Sequence, residues 1–157
     1  MKKLALESIL KQHAFLQGLD RKHLKLLEGC VTNEVFKGGE FIFREGKKAD
    51  KFYLLREGHV AVEIPGAERG PIVIETLGPG DVLGWSWLFS PYRWNFDAKV
   101  VKVTRAFALD ARCIREKCER DHDFGFELMK RFGQVIIDRL HAARLQILDV
   151  YGKRQVR

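Results

Sequence analysis

The spacing of hydrophobic positions divides the chain into three zones, and the first is predicted to be helical. In residues 1–30, Ile9 and Leu10 precede a turn at Gly18, and a second apolar group follows that turn. Asp20 stands just before the second group, where its side chain is expected to cap a short helix by accepting backbone N–H bonds.

The second zone, residues 31–110, has the texture of an antiparallel sheet. Glycine-containing turns separate its β-branched and aromatic runs, and glycine adopts the positive φ that tight turns require. The pair Glu57-Gly58 is predicted to be one of these turns. Six strands are expected: Val31 to Phe36, Phe41 to Phe43, Lys51 to Leu55, His59 to Ile64, Ile72 to Thr76 and Lys99 to Leu109. This pattern predicts a β-roll, also called a jelly roll or double-stranded β-helix.

The third zone, residues 111–151, changes to the helical period. Asp110 and Asp121 are expected to cap successive helices, and the second helix should run without interruption from about His122 to Val150. Its heptad seam, suited to pairing two helices, consists of Met129, Gly133, Ile136, Leu140, Ala143, Ile147 and Val150. A second apolar set is expected to pack on the roll: Leu128, Phe132, Val135, Leu145 and Leu148. The alternative is one helix that buries a single wide stripe against its own domain.

Length and charge refine this architecture. The 157 residues suit a single α+β domain spanning 1–157, and no apolar run reaches the roughly 18–20 residues that cross a bilayer. The N-terminus lacks an uninterrupted signal-peptide core, so a cytoplasmic protein without membrane contact is expected. The formal charge of +7 is spread along the chain, which does not indicate a nucleic-acid surface.

The reactive residue types are scattered. Three cysteines, an odd number, argue against a disulfide framework, so free or buried thiols are expected. The five histidines form no metal-binding pair, so no metal site is predicted. No nucleophile–base pair or carboxylate pair emerges, and an enzyme is therefore not expected.

The β zone carries a dense motif. Its segments are Phe36-x-x-Gly39-x-x-Ile42-Phe43-x-Glu45-Gly46, Leu77-Gly78-Pro79-Gly80-Asp81-Val82-Leu83-Gly84 and Ala98-Lys99-Val100. The pattern resembles the cyclic nucleotide-binding domain family, in particular the sensor domains of bacterial regulators related to catabolite activator protein. The resemblance implies a regulatory role, with cAMP or cGMP as the effector.

The resemblance also implies a phosphate-binding cassette, and this chain departs from it at two positions. Trp85 replaces the glutamate that accepts from the ribose, and Phe96 replaces the phosphate arginine. Arg93 and Lys99 are the candidate substitute cations. The candidate ligand-binding residues are Leu83, Gly84, Trp85, Ser86, Arg93, Phe96, Ala98 and Lys99.

Two functional hypotheses follow from this degenerate cassette. All three tryptophans lie between residues 85 and 94, where they would either form an aromatic wall for an effector or fill the pocket. The first case predicts a stand-alone sensor module that signals through the C-terminal helix. The second predicts a protein-interaction or scaffold subunit with a vestigial pocket.

The expected partners follow from the C-terminal zone. In regulators of this type a winged helix-turn-helix domain follows the long helix, and here only five residues follow Gly152. No sequence-specific DNA binding is therefore expected, although a truncated regulator of the same family would have the same sequence. A homodimer through the C-terminal helix and an unidentified protein partner are predicted.

Overall fold

The N-terminal zone is helical, as predicted. The structure, a computed structural model, describes residues 2–155 except 67 and 69, and side chains only between residues 6 and 152. Helix α1 (Lys2–Gln12) leads through a 3-10 turn to helix α2 (Arg21–Glu28). Asp20 occupies the N-cap position of α2, but its side chain makes no capping hydrogen bond. Its main-chain carbonyl accepts the N–H groups of His23 and Leu24 instead, so the predicted side-chain cap was wrong.

The middle zone forms six strands that agree closely with the predicted runs. One short strand was missed, because two residues are too few to show an alternating pattern. The strands are β1 (Val31–Phe36), β2 (Phe41–Phe43), β3 (Lys51–Ile64), β4 (Ile72–Leu77), β5 (Val82–Leu83) and β6 (Asp97–Asp110).

Strand β3 is continuous through Glu57-Gly58, where the sequence predicted a turn. Gly58 has a φ of +101°, and a Cβ placed on it would lie 2.5 Å from the carbonyl oxygen of Val103 on β6. The register between β3 and β6 shifts around this point. The glycine therefore lets the strand bend against its neighbour without reversing direction, as glycine does at bulges within strands. The predicted turn was wrong.

The strands build one antiparallel sheet in the order β1-β6-β3-β4, with β2 added to β6 and β5 added to β3. The long strands β3 and β6 are paired along most of their length, and their register shifts accompany the rolling of the sheet. The predicted antiparallel β-roll is confirmed. Its interior is filled by Tyr53, Leu55, Val60, Val62, Leu77, Leu83, Ala98, Ala106 and Ala108.

Helices α3 (Ala111–Arg120) and α4 (His122–Gln155) complete the domain. The predicted caps are confirmed, because Asp110 accepts the N–H of Cys113 and Asp121 accepts the N–H of Phe124. Phe132 of α4 packs its ring against Phe15, Phe52 and Trp87 with centroid distances of 4.9, 5.1 and 5.4 Å. The first half of α4 thus belongs to the core between the helices and the sheet.

The second half of α4 leaves that core. Leu128, Phe132 and Val135 contact it as predicted. Leu145 and Leu148 are 51% and 64% exposed, so their predicted packing on the roll was wrong. The physical reason is that Leu145 and Leu148 lie on the face of α4 that points away from the roll, whereas Gln146, Ile147 and Val150 lie on the face toward it.

Two cysteines form a disulfide, contrary to the prediction of free thiols. Cys30 follows α2, Cys113 lies in the first turn of α3, and the two are 83 residues apart in sequence. Cys118 keeps a thiol. Cysteine parity could not show that two distant residues meet when the chain folds. Disulfides persist mainly in oxidising compartments, and the cytoplasmic location therefore stays a prediction.

No apolar run in the sequence reaches the length needed to cross a bilayer. None of the helices described for residues 2–155 has the length and apolarity needed to span a bilayer.

Candidate functional site

A cavity of about 990 Å³ lies between the β-roll and the distal half of α4. This volume is in the range of small-molecule sites, and most of its lining is apolar. Its polar lining residues are Glu75, Ser86, Arg139 and Gln146. The roll contributes Phe43, Val62, Ile74, Leu83, Trp85, Trp94 and Phe96, whereas α4 contributes Ile136, Leu140, Ala142, Ala143, Ile147, Val150 and Tyr151.

The predicted cassette residues from Leu83 to Ser86 form a turn on the roll's side of this cavity. Leu83 is buried in β5, where it pairs with Tyr53. Gly84 has a φ of +97°, and a Cβ placed on it would lie 2.6 Å from the ring of Trp94. Only glycine therefore allows both this backbone turn and the position of Trp94. The turn leads into a short 3-10 turn that begins at Ser86.

The three clustered tryptophans divide between core and cavity. Trp87 is fully buried in the core, where it stacks on Phe52 at 4.6 Å. Trp94 stacks on Phe43 at 3.7 Å, and both rings line the cavity with Trp85. An aromatic wall and an open volume therefore coexist, and the side chains do not fill the cavity.

The structure does not bring the two predicted substitute cations to this cavity. Arg93 is exposed and donates from Nη1 to the carbonyl of Gly46 at 2.9 Å. The Nζ of Lys99 lies 5.7 Å from the ring centroid of Phe41. Neither residue lines the cavity. Ala98 is fully buried within the roll, close in sequence to the lining residue Phe96.

A cation that the sequence analysis missed enters the cavity from α4. Arg139 forms an ion pair with Glu75 of β4, with 3.2 Å between Nε and Oε1. It also donates from Nη2 to the carbonyl of Val82. Its guanidinium carbon lies 5.0 Å from the ring centroid of Trp85. The available signal was its position three residues after Ile136, which places both on one face of the helix.

Burial shifts the ionisation of both partners toward their neutral forms. Desolvation raises the pKa of Glu75, and the positive charge of Arg139 partly offsets the effect. Desolvation also lowers the pKa of Arg139, against the opposing influence of Glu75 and Asp81. Both side chains are therefore partly removed from water. A charged hydrogen bond is stronger in such a buried position than at an exposed surface.

Five of the seven predicted seam residues of α4 face this same cavity, and Met129 and Gly133 do not line it. Ile136, Leu140, Ala143, Ile147 and Val150 all line it. Several of them remain accessible, with Leu140, Ile147 and Val150 exposed by 49%, 55% and 56%. The seam therefore lines the cavity and still presents apolar surface, and helix pairing stays a prediction.

Comparison with known families agrees with this architecture. The model of the cyclic nucleotide-binding domain matches residues 33–121, more than half of the chain. The chain belongs to the cyclic nucleotide-binding domain family. Residues 33–121 include most of β1, all of β2 to β6, and α3, whereas the distal half of α4 lies beyond them.

Named members of the family have related sequences and folds. The chain is 23% identical over 110 residues to a CRP-like cAMP-activated global transcriptional regulator of Mycobacterium tuberculosis, covering 70% of this chain and 49% of that protein. It is 30% identical to the cAMP-dependent protein kinase regulatory subunit of Dictyostelium discoideum, covering 71% of this chain and 35% of that protein. A crystal structure from Geobacter metallireducens, of a protein named for cyclic nucleotide binding, is 27% identical. Its TM-score is 0.77, with 86% of this chain and 98% of that chain covered. The chain thus spans half or less of the two curated relatives' lengths.

Proposed function

We propose that this cyclic nucleotide-binding domain is a regulatory sensor that binds a small effector between the β-roll and α4 and signals through α4. The observation that carries the proposal is the cavity itself, because its walls come from both the roll and the helix. An effector bound there contacts both elements at once. A ligand that binds two helix positions with different affinity shifts the population between them.

A regulatory role also suits the named relatives, which are a transcriptional regulator and a kinase regulatory subunit. We infer that the domain acts by binding and not by catalysis. The alternative, a scaffold subunit with a filled pocket, is disfavoured because the aromatic side chains leave about 990 Å³ open.

Cyclic nucleotides are expected to bind weakly if they are the effector. Trp85 and Phe96 supply no hydrogen bond of the kind that the family's glutamate and arginine make to ribose and phosphate. Two charged hydrogen bonds are together worth about 3–6 kcal/mol, so affinity falls by roughly 10²- to 10⁴-fold. The site therefore favours effectors that rely on apolar and aromatic contact.

The experiment uses the tryptophans that line the cavity as reporters. Titration with cAMP, cGMP and the neutral dye N-phenyl-1-naphthylamine is expected to change their emission. Ala143 lines the cavity on α4, and Ala143→Phe should fill part of it and weaken binding at least about tenfold. Arg144→Phe, at an exposed neighbouring position, is the matched control and should behave as the parent.

Hydrogen exchange of α4 tests the signalling half of the proposal. A bound ligand should change the protection of the distal turns of α4 more than that of β1. A flat emission response to millimolar cAMP and cGMP would retire cyclic nucleotide sensing. If the dye also fails to bind, or if ligands leave α4 unchanged, the sensor proposal itself is contradicted.

We also propose that the domain forms a homodimer through α4. The support is the accessible apolar surface of its predicted seam, where Leu140, Ile147 and Val150 are 49%, 55% and 56% exposed. Exposed apolar residues that repeat along one helix face are typical of sites of helix pairing.

A further inference from the structure

We propose that Arg139 of α4 binds the charged group of the effector, which is an aromatic or apolar anion that displaces Glu75 from the guanidinium. The inference rests on the proposed function, because it assigns a charge and a binding residue to the same cavity. It places the anion-binding residue on the helix that carries the signal, and not in the cassette.

The charges of the cavity lining support this assignment. Among the lining side chains in the described part of the chain, Arg139 is the only cation and Glu75 the only carboxylate. The predicted cations Arg93 and Lys99 lie elsewhere. Any anion that enters the cavity therefore has one guanidinium available to it.

The contacts of Arg139 leave some of its N–H groups free to donate to a ligand. Its side chain is only 15% exposed, and it makes polar contacts with Glu75 and with the carbonyl of Val82. A guanidinium has five N–H donors in a rigid fork, which suits bidentate binding of a carboxylate, sulfonate or phosphate. The ring of Trp85 supports the guanidinium at 5.0 Å. An aromatic ligand can extend from this point along Trp94 and Phe96.

Another anion can displace Glu75 from the guanidinium of Arg139. The Glu75 side chain is 29% exposed, so it can turn toward water when another anion takes its position. The exchange replaces one carboxylate partner of Arg139 with another anion, and the guanidinium stays paired throughout.

The exchange connects binding to the position of α4. In this structure the pair Arg139–Glu75 joins α4 to β4. An anion that binds Arg139 breaks this ion pair. The anion then connects Arg139 to the other cavity residues that it contacts. A neutral ligand of the same shape leaves the pair intact, so charge distinguishes the two kinds of ligand.

Two dyes of nearly the same shape test the inference. 1-Anilinonaphthalene-8-sulfonate is an aromatic anion, and N-phenyl-1-naphthylamine is the same ring system without the sulfonate. Energy transfer from the tryptophans to each dye, together with its loss in Ala143→Phe, assigns the dye to the cavity. The measured quantity is the ratio of the two affinities.

Arg139→Gln is expected to lower the ratio of sulfonate to neutral affinity at least about tenfold, the scale of one charged hydrogen bond. Arg139→Lys should lower it less, because it keeps the charge and loses the fork. Glu75→Gln should raise it several-fold, because it removes the competing carboxylate. Arg112→Gln, which breaks the exposed pair with Glu116, is the matched control and should leave the ratio unchanged.

The outcomes separate this inference from the proposed function. If both dyes bind in the cavity and neither Arg139→Gln nor Glu75→Gln changes the ratio, the assignment of Arg139 is overturned and the sensor proposal stands. If neither dye binds the parent protein, both fail. Should Arg139→Gln not fold, as judged by circular dichroism, Glu75→Gln decides, because it retains Arg139 and an unchanged ratio there overturns the inference.

Discussion

His13 is a buried histidine whose two ring nitrogens both have partners. Its Nδ1 accepts the N–H of Phe15 at 3.2 Å, and its Nε2 lies 2.9 Å from the carbonyl of Leu55. A carbonyl only accepts, so the proton is on Nε2 and the ring is neutral. Burial lowers the pKa of His13 below its ordinary value of 6.5, and the hydrogen bond to Leu55 offsets part of this. Protonation would add a second N–H where the Phe15 amide already donates.

The neutral ring predicts a loss of stability in mild acid. Below about pH 6.5 the unfolded chain takes up a proton that folded His13 resists, so the free energy of unfolding falls as the pH decreases. Urea midpoints at about pH 7.5 and about pH 5.5 measure the loss. It should be smaller in His13→Gln and unchanged in His141→Gln, a control at an exposed position. Equal losses in the parent and His13→Gln would refute this role.

Two residues are predicted to change the chemistry of the family's cassette. Trp85 and Phe96 bring aromatic rings to positions where a carboxylate and a guanidinium are expected, and both rings line the cavity. The cavity nevertheless keeps one cation, supplied by Arg139 of another element. Charge is thus present in the cavity, although the cassette residues do not provide it.

Among the elements, the disulfide joins the helical zones at the two ends of the β-roll. Cys30 stands between α2 and β1, and Cys113 lies in α3. Asp110 of β6 donates its backbone N–H to the carbonyl of Cys30 at 3.0 Å, which holds the same two segments together. Burial raises the pKa of the remaining thiol, Cys118, to about 11, so that thiol is protonated and slow to exchange.

The bridge predicts a measurable contribution to stability. Because it closes a long loop, its reduction is expected to lower the free energy of unfolding by about 2–5 kcal/mol. Urea unfolding with and without dithiothreitol checks this, and the double variant Cys30→Ser/Cys113→Ser should match the reduced parent. Cys118→Ser is the control and should lose stability on reduction as the parent does. Alkylation of the unfolded, unreduced protein should modify one thiol, and three modified thiols would contradict the bridge.

The two halves of helix α4 differ in how extensively they are packed. Its first half is fixed by Leu128 and Phe132, both buried in the core. Its second half contacts the roll across the cavity, where Arg139 makes the ion pair with Glu75. The distal turns can therefore shift at lower cost than the proximal ones, since fewer buried contacts must break.

For the whole molecule, the predicted homodimer is the property to measure. Sedimentation velocity should show a dimer of the parent protein that dissociates in Leu140→Lys, because a buried lysine charge at a helix seam is costly. His141→Lys, which adds a charge at the exposed neighbouring position, is the control and should retain the dimer. An unchanged mass for Leu140→Lys, or a monomeric parent, would contradict pairing through this seam.

Much of the fold could be predicted because its signals are local. The runs at Val31 to Phe36 and Phe41 to Phe43 became strands with the same bounds, and Asp110 and Asp121 cap helices as expected. The wrongly predicted turn has a cause that is not local. Glu57-Gly58 has the composition of a turn, yet it remains in a strand because β6 pairs along both sides of it.

The sequence by itself determined most of the elements and their order, because alternation and helical period act over a few neighbouring residues, and its motif segments resemble those of the family. It also predicts that Trp85 and Phe96 depart from the family's cassette. Only the tertiary structure decided which distant residues meet. The pairing of Arg139 with Glu75, the bridge from Cys30 to Cys113 and the open cavity join residues far apart in the chain. Such contacts depend on how the elements pack in three dimensions, which no local pattern encodes.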